Sequence, residues 1–324
     1  MRQPQTPPEV SVVIPTYNRP GLLRRAVTSA LGQDDVRLEV IVVDDGSSPR
    51  VTADALPSGV TIVRNSEDGG VATARNLGAQ LAQTPWLAFL DDDDWWAPDH
   101  LCRLLSVANA SAAGFAYAGR WNVNLATGEV TLSPALPAQE LATRLLHENA
   151  VGTPSGVIVQ RSLYLDVGGS DPSLAAMADW DLWIRLAGVA RGVASPVATV
   201  AYAVHDQNMS SDIPQLLTEF TRLTERHAQA CQRNRVRFGD VGFPRWIARL
   251  YRDEGRRVRA ASWYLRSARA PTCRLDAVRA VGVLLGERVM RVGQRPAIGQ
   301  GVPPPDWLND PTADPLPVHA GAEH

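Results

Sequence analysis

The stretch Phe89–Pro98, FLDDDDWWAP, holds four consecutive aspartates between an apolar run and two tryptophans. The apolar run, Trp86–Leu90, has the length of a buried strand, so the four acids emerge where that strand leaves its sheet. Adjacent anions repel one another unless a counter-charge is present. A divalent cation that prefers hard oxygen ligands, Mg²⁺ or Mn²⁺, would supply that charge. The alternative is a solvated acidic loop in which Asp94 or Asp99 caps the next helix.

The acidic cluster is preceded by a repeated strand–loop–helix pattern. Four segments have the composition of buried strands: Val10–Ile14, Leu38–Val43, Val60–Val63 and Trp86–Leu90. Helical spacing of apolar residues follows over Gly21–Leu31 and again over Ala72–Gln83. This pattern predicts an α/β fold, with a mostly parallel sheet flanked by helices. Ligands bind at the carboxyl ends of strands in such sheets, and Tyr17, Asp45 and the acidic cluster all follow strands there.

Composition limits the classes of function. The 324 residues suffice for one large domain or about two, and the net charge of −2 gives no whole-protein argument for nucleic-acid binding. The three cysteines, Cys102, Cys231 and Cys273, have no zinc-type spacing and suggest no disulfide framework. No apolar run approaches the roughly 18 residues of a membrane span, and the N-terminus lacks the apolar core of a signal peptide. These features predict a cytoplasmic protein.

Four motifs occur together in one order and spacing: Val12–Arg19, Val42–Ser47, Gly69–Asn76 and Leu90–Asp94. In this arrangement they resemble the family 2 glycosyltransferases of GT-A fold. The resemblance continues through Gly168-Gly169, Asp179–Trp183 and His205, and covers roughly residues 9–212. It implies an inverting enzyme of cell-envelope glycan biosynthesis. Such an enzyme moves a sugar from a nucleotide-diphosphate sugar, most often a UDP-sugar, to the hydroxyl of a glycan, lipid-linked or small-molecule acceptor.

The resemblance implies nucleotide-sugar contacts for Pro15, Thr16, Tyr17, Asp45, Arg75, Asp91 and Asp92. Tyr17 would stack on the base, although a loop aromatic packed on the sheet edge is the simpler alternative. Asp45 would accept hydrogen bonds from the base or ribose, unless it only forms an Asx-turn, which Asp44 could serve equally well. Arg75 would approach the base or diphosphate, and a surface arginine is its alternative.

The resemblance also implies the metal ligands and the base. Asp93 would bind a divalent cation directly, and His205 would complete the metal shell, although a lone histidine is more often structural. An imidazole ligand favours Mn²⁺ slightly over Mg²⁺. Asp179 would act as general base. Its alternative is a helix cap, and relatives commonly carry a glutamate where this chain has Ala178.

The sequence predicts four segments: a disordered N-terminus over 1–8, a GT-A catalytic domain over 9–212, a helical region over 213–300 and a disordered tail over 301–324. Within the catalytic domain, 9–100 would bind nucleotide sugar and metal, and 101–212 would carry the acceptor side and the base. Arginines and aromatic residues interleave over 243–295. These short helices either pack against the rest of the protein or make a peripheral contact with an anionic membrane.

Two other classes of function are compatible with a Rossmann-like sheet and clustered carboxylates. A nucleotidyltransferase would be expected to carry a glycine- and arginine-rich triphosphate loop after the first strand, which Pro15–Pro20 does not supply. A catalytically silent nucleotide-sugar-binding module would keep Asp45 and Asp93 but would show no turnover.

Overall fold

A computed structural model describes residues 8–65, 69–137, 139–205, 212–270, 273–286 and 303–309. The strands of this part of the chain are β1 Val10–Thr16, β2 Leu38–Asp44, β3 Val60–Arg64, β4 Trp86–Phe89, β5 Trp95–Trp96, β6 Phe115–Asn124, β7 Val130–Ser133, β8 Val157–Gln160 and β9 Gly192–Val204. Its helices are α1 Pro20–Leu31, α2 Gly70–Leu81, α3 His100–Ala110, α4 Leu141–Leu145, α5 Arg161–Asp166, α6 Ala178–Ala187, α7 Ile213–Arg226, α8 Ala228–Asn234, α9 Gly242–Asp253, α10 Arg257–Ser267 and α11 Asp276–Leu285.

One sheet contains all of these strands, in the order β3-β2-β1-β4-β8-β6-β9-β5, with β7 paired to β6. The strands that precede the acidic cluster, β1 to β4, pair in parallel, as the sequence predicts. Antiparallel pairing begins with β8 on β4, whereas β9 returns parallel to β6. The predicted α/β architecture is confirmed, and the carboxyl ends of β1, β2 and β4 lie at one edge of the sheet.

Helices cover both faces of the parallel strands. Val12 and Ile14 of β1 share a buried core with residues of α1 and α3. Val13 points to the other face, where α2 approaches so closely that a Cβ atom at Gly78 would overlap the Val13 side chain. The alternation of side chains along β1 therefore contributes to one apolar core on each face of the sheet. Packing on both faces holds the strand ends at fixed positions.

The chain divides into two compact units. The first comprises Met1–Ala138, Val151–Gln207 and Gly299–His324, and the second comprises Gln139–Ala150 and Asn208–Ile298. The predicted boundary at 212 therefore lies near the observed one, but the prediction assigned the short segment Gln139–Ala150 to the catalytic domain. Its backbone and side chains bond within the helical unit. Leu146 O accepts from Gly239 N at 2.7 Å, and His147 Nδ1 lies 2.5 Å from Asp240 Oδ1.

The aromatic residues of the second unit form its own core. Phe243 stacks on Phe220 with ring centroids 3.7 Å apart, and Trp246 and Trp263 meet Phe243 edge-on. Tyr264 is also buried. These aromatic side chains therefore pack on one another inside the unit. No helix in the described part of the chain combines the length and apolar character of a membrane span.

The proline-rich tail is ordered over its described residues. Asp306–Asn309 forms a 3₁₀-helix, and Trp307 and Leu308 pack against an apolar cluster that includes Trp95 and Ala203. The prediction of disorder is therefore wrong for 303–309, because composition does not reveal that this tryptophan has a docking site in the first unit. The predicted disorder of 1–7, and of the remainder of the tail, falls outside the described residues.

A buried histidine lies at the start of α3. His100 is fully buried, its ring stacks on Trp96 at a centroid distance of 4.5 Å, and its Nδ1 lies 2.7 Å from Thr199 Oγ1. Its Nε2 has no hydrogen-bond partner within the described residues. Burial lowers the pKa of His100 to about 3, since the imidazolium would lose its hydration without gaining a counter-charge.

We expect His100 to make the fold sensitive to acid. The unfolded chain binds a proton at this histidine below a pKa of 6.5, whereas the folded chain does not until about pH 3. Stability is therefore lost as the pH falls from 6.5 towards 3, by up to about 1.4 kcal/mol per pH unit. In His100→Gln the free energy of unfolding, measured in urea between pH 7 and pH 4, should depend less on pH. Equal slopes for the two proteins would contradict this assignment.

Candidate active site

The four aspartates of the cluster have different environments, and Asp94 is the most deeply buried. Its Oδ2 accepts from Ser155 Oγ at 2.5 Å and its Oδ1 accepts from Ala203 N at 3.0 Å. Burial, followed by the negative charges of Asp93 and Asp91, raises the pKa of Asp94 well above its usual value. Asp94 therefore fixes the acidic loop to β9 and to the 3₁₀ turn Pro154–Gly156 and is closed to solvent.

Asp92 is also buried and holds the end of β1. Its Oδ2 accepts from Thr16 Oγ1 at 2.7 Å, and its Oδ1 accepts from Arg19 Nη1 at 3.2 Å. Burial and the neighbouring charge of Asp93 raise the pKa of Asp92 to about 6, although Arg19 opposes the shift. Asp92 thus holds the loop after β1 through Thr16 and Arg19. Its predicted contact with nucleotide sugar stays a prediction.

Asp93 and His205 lie together, as the resemblance implies. His205 Nε2 is 3.0 Å from Asp93 Oδ2, and Arg19 Nη1 donates to the same oxygen at 2.7 Å. Burial alone would raise the pKa of Asp93, but the hydrogen bond from His205 and the charge of Arg19 outweigh it, so the pKa is lowered. Asp93 is therefore held as a carboxylate and already attracts one cationic side chain.

The residues present fit a metal site in which the protein supplies only some of the ligands. Across the described ranges, no group of three or more His, Cys, Asp or Glu side chains is arranged to hold a metal ion. Asp93 and His205 supply one carboxylate oxygen and one imidazole nitrogen. Mg²⁺-type sites commonly use one or two carboxylates and take their remaining ligands from substrate phosphates and water. The two donors therefore suit a cation that arrives with a diphosphate.

Arg75 joins Asp91 to the predicted base. It lies in α2, is 6% exposed, and pairs with Asp91 through its Nη2. Burial would lower the pKa of Arg75, but the charge of Asp91 and, more weakly, that of Asp179 raise it. Asp91 thus contacts Arg75 directly, and the negative charge of Asp179 acts on the same guanidinium. The surface-arginine alternative for Arg75 is wrong.

The helix α6 separates the roles of its two aspartates. Asp181 is fully buried and accepts from Arg185 Nε at 2.7 Å. Asp179 is half-buried, and its Oδ1 accepts from Trp180 N at 2.6 Å. The N-cap residue is Met177. Asp179 thus satisfies one first-turn N–H group, which is a structural role.

The loops after β1 and β2 form the other end of the site. Asp44 forms the turn, since it accepts from Ser47 N at 2.9 Å and from Arg64 Nη1 at 2.7 Å. Asp45 instead accepts from Asn65 Nδ2 at 2.8 Å, so the Asx-turn alternative belongs to Asp44. Tyr17 is 48% exposed and offers a free ring surface beside these loops.

Sequence reasoning assigned no role to three residues that support the cluster. Arg19 contacts two of the aspartates, and Ser155 bonds Asp94. Arg25 stacks on the Trp95 ring at 3.6 Å and donates to the Asp93 carbonyl at 3.3 Å. Burial lowers the pKa of Arg25 to about 10, although Asp94 and Asp93 oppose the shift. The four adjacent acids were the available signal, because their repulsion requires nearby cations of some kind.

The described arrangement agrees with comparisons to known proteins. The sequence matches the family described as glycosyl transferase family 2 over residues 11–168. Through this segment the chain belongs to glycosyl transferase family 2. The predicted family is thereby confirmed, and the matched segment contains every predicted site residue except Asp179 and His205.

Similar sequences include a glycosyltransferase and a protein of glycan biosynthesis, both from bacteria. An uncharacterised glycosyltransferase of Haemophilus influenzae is 31% identical over 180 residues, which are 55% of this chain and 61% of that protein. The succinoglycan biosynthesis protein ExoO of Rhizobium meliloti is 38% identical over 112 residues, 34% of this chain and 32% of its own length. The chain thus spans less than two thirds of either relative.

A solved structure supports the fold. The mannosyltransferase PcManGT from Pyrobaculum calidifontis, in complex with GDP-Man and Mn²⁺, superposes with a TM-score of 0.54 at 17% identity. The superposition covers 90% of this chain and 84% of that one. At this identity the likeness concerns the fold alone, and it agrees with the GT-A architecture that the sequence predicts.

Asp94 and Asp93 should respond differently to truncation. Asp94→Ala removes the acceptor of two buried hydrogen bonds, so we expect the free energy of unfolding to fall by about 3 kcal/mol. Asp93→Ala relieves repulsion within the cluster and should change stability much less. Chemical denaturation of both variants measures the difference. Equal stabilities would contradict the supporting role of Asp94.

Proposed function

We propose that this protein is an inverting glycosyltransferase that moves a sugar from a nucleotide-diphosphate sugar to an acceptor hydroxyl. The observation that carries the proposal is the pairing of Asp91 with Arg75 and of Asp93 with His205 within the acidic cluster. These residues, proposed to bind donor and metal, follow β4 at the carboxyl edge of the parallel strands, where ligands bind in α/β sheets. Membership of the family supports the transferase class.

Donor recognition would use the loops after β1 and β2. Tyr17 would stack on the base, with Pro15 and Thr16 offering backbone contacts, and Asp45 would accept from the base or ribose. Its Asn65 contact already fixes the orientation of that carboxylate. We propose a UDP-sugar as donor. A guanosine diphosphate sugar, the class bound by PcManGT, is the second donor to test.

The metal proposal concerns Asp93 and His205, which would hold Mn²⁺ or Mg²⁺. A bound cation would neutralise charge on the departing diphosphate. Arg19 contacts the same Asp93 oxygen at 2.7 Å, so it competes for this carboxylate. We propose that Arg19 balances the charge of Asp92 and Asp93 when no nucleotide is bound.

Asp179 is the proposed general base. A half-buried carboxylate beside Arg75 can take the proton of an acceptor hydroxyl as that oxygen attacks the anomeric carbon opposite the leaving diphosphate. Asp181 cannot share this task, because Arg185 encloses it in a buried ion pair. Asp179 would therefore act alone, consistent with Ala178 at the position where relatives commonly have a second acid.

The biological setting rests on chemistry and relatives. A role in cell-envelope glycan biosynthesis is supported by the similarity to ExoO, a succinoglycan biosynthesis protein. The three cysteines form no disulfide within the described residues, which supports the proposed cytoplasmic location. A catalytically silent nucleotide-sugar-binding module is the competing function. It would bind nucleotide sugar with the same residues and release no nucleotide when an acceptor is supplied.

The metal proposal predicts that divalent cations strengthen nucleotide binding. UDP and GDP should each be titrated by calorimetry into the protein with Mn²⁺ and with EDTA. Asp93→Ala should abolish the increase in affinity for whichever nucleotide binds, because the sole carboxylate of the proposed site is lost. Equal affinities of the wild type in Mn²⁺ and EDTA would contradict the metal site.

Arg19→Gln is the matched variant, for which we expect metal affinity to rise instead of fall. It removes the competing cation but keeps a polar side chain, so binding of Mn²⁺ without nucleotide should strengthen by roughly three- to tenfold, within the range of a partly exposed charge-assisted hydrogen bond. The bound fraction can be measured from the paramagnetic signal of free Mn²⁺. Weaker Mn²⁺ binding in Arg19→Gln would contradict the competition.

The base proposal predicts that Asp179→Asn lowers transfer by about 10²–10⁴-fold, the usual effect of losing a general base. Asparagine can still accept from Trp180 N, and Asn and Asp are similar at helix starts. The melting temperature and nucleotide affinity should therefore change little. Nucleotide release from the donor with a panel of hydroxyl acceptors measures the effect.

Asp166→Asn is the control for this experiment, because Asp166 is an exposed carboxylate at the end of α5. It should keep normal turnover. Normal turnover in Asp179→Asn would remove Asp179 from the mechanism and leave only its bond to Trp180. Nucleotide binding without release in the wild type would instead favour the silent binding module.

A further inference from the structure

The outer side of α11 is apolar and exposed. Five large aliphatic residues are each more than half exposed: Leu275, Val278, Val281, Leu284 and Leu285, at 51–67%. The opposite side of the helix, with Ala280 and Val283, is buried in the helical unit. A helix that is apolar all round is normally enclosed on every side. Among the residues that the structure describes, nothing covers the outer side of α11.

The exposed charged side chains of residues 256–286 are all positive. Between residues 256 and 286 the sequence has seven arginines, Arg256, Arg257, Arg259, Arg266, Arg269, Arg274 and Arg279, and one acidic residue, Asp276. All seven arginines are exposed. Asp276 is buried and neutralised, since Arg245 Nε lies 2.5 Å from its Oδ2 and Arg279 pairs with its other oxygen. The exposed surface of 256–286 thus combines aliphatic side chains with a set of arginines, its basic rim, of which Arg256 is paired with Glu254.

We propose that this surface, the outer side of α11 with the exposed arginines of 256–286, binds the face of an anionic lipid bilayer. Aliphatic side chains would enter the boundary between headgroups and acyl chains, and the arginines would contact lipid phosphates. The sequence assigned this contact to the whole of 243–295. The structure excludes Tyr264, Ile247 and Phe243 from that role, because they are buried inside the unit.

A second copy of the chain is a poorer occupant of the same surface. Symmetric pairing would bring the same basic rim against itself, and like charges brought together across an interface are unfavourable. An anionic bilayer satisfies both features, since it offers apolar depth and negative charge at the surface. The charge complementarity therefore selects the lipid.

Co-sedimentation of the full chain with vesicles tests the proposal. Vesicles of phosphatidylcholine mixed with phosphatidylglycerol should bind the protein at low salt, and high salt should weaken that binding because exposed charges are screened. Phosphatidylcholine alone should bind far less. Val281→Asp places an anion at the centre of the surface and should weaken binding at least about tenfold. Replacing Arg269 and Arg274 by glutamine should weaken it about fivefold for each arginine.

Val189→Asp is the matched control, since Val189 is an exposed valine of the first unit, at 68%. It should sediment with the vesicles as the wild type does. Melting temperatures and nucleotide binding of every variant separate lipid binding from folding and from the proposed transferase activity. A wild type that stays in the supernatant with anionic vesicles at low salt would overturn the proposal. A wild-type dimer that Val281→Asp converts to a monomer, without vesicle binding, would assign the surface to a second copy instead.

Discussion

The structure depends on polar partners for the four adjacent aspartates that follow β4. Arg75 pairs with Asp91 and Arg19 contacts both Asp92 and Asp93; the other partners are Thr16 for Asp92, His205 for Asp93, and Ser155 with Ala203 for Asp94. These partners come from β1, α2, the 3₁₀ turn and β9, which are far apart in sequence. The cost of crowding four carboxylates is therefore met only when the whole first unit has folded, so site formation and folding of that unit are linked.

The fold around this cluster could be predicted because its signals are local. The β-branched runs of β1 and β2 and the periodic apolar residues of α1 report their own conformation, and the observed ends differ from the predicted ones by few residues. The pairing of His205 with Asp93 agrees with the resemblance. The two positions are 112 residues apart, and no local sequence pattern connects them. The family motifs supplied that long-range information.

Other features could not be predicted, because they depend on contacts that leave no periodic pattern. Gln139–Ala150 joins the helical unit through hydrogen bonds to residues near position 240. Trp307 packs against an apolar cluster that includes Trp95. Arg19 was visible in a family motif, but the sequence did not show that a guanidinium would share the carboxylate proposed for a metal. The burial of Asp181 also could not be predicted, although its partner Arg185 lies only one turn further along the same helix. Charge partners are a tertiary property, whereas strands and helices are largely local.

The same partners leave the four acids unequally exposed. Asp94 is closed off by protein groups, the side chains of Asp92 and Asp93 keep 7% and 10% exposure, and that of Asp91 keeps 24%. Arg75, which binds Asp91, is buried with no hydrogen-bond partner for its Nε within the described residues. A buried donor without a partner costs about 1–3 kcal/mol. An oxygen of a nucleotide sugar that reached Nε, as the proposed donor contact of Arg75 requires, would recover that cost.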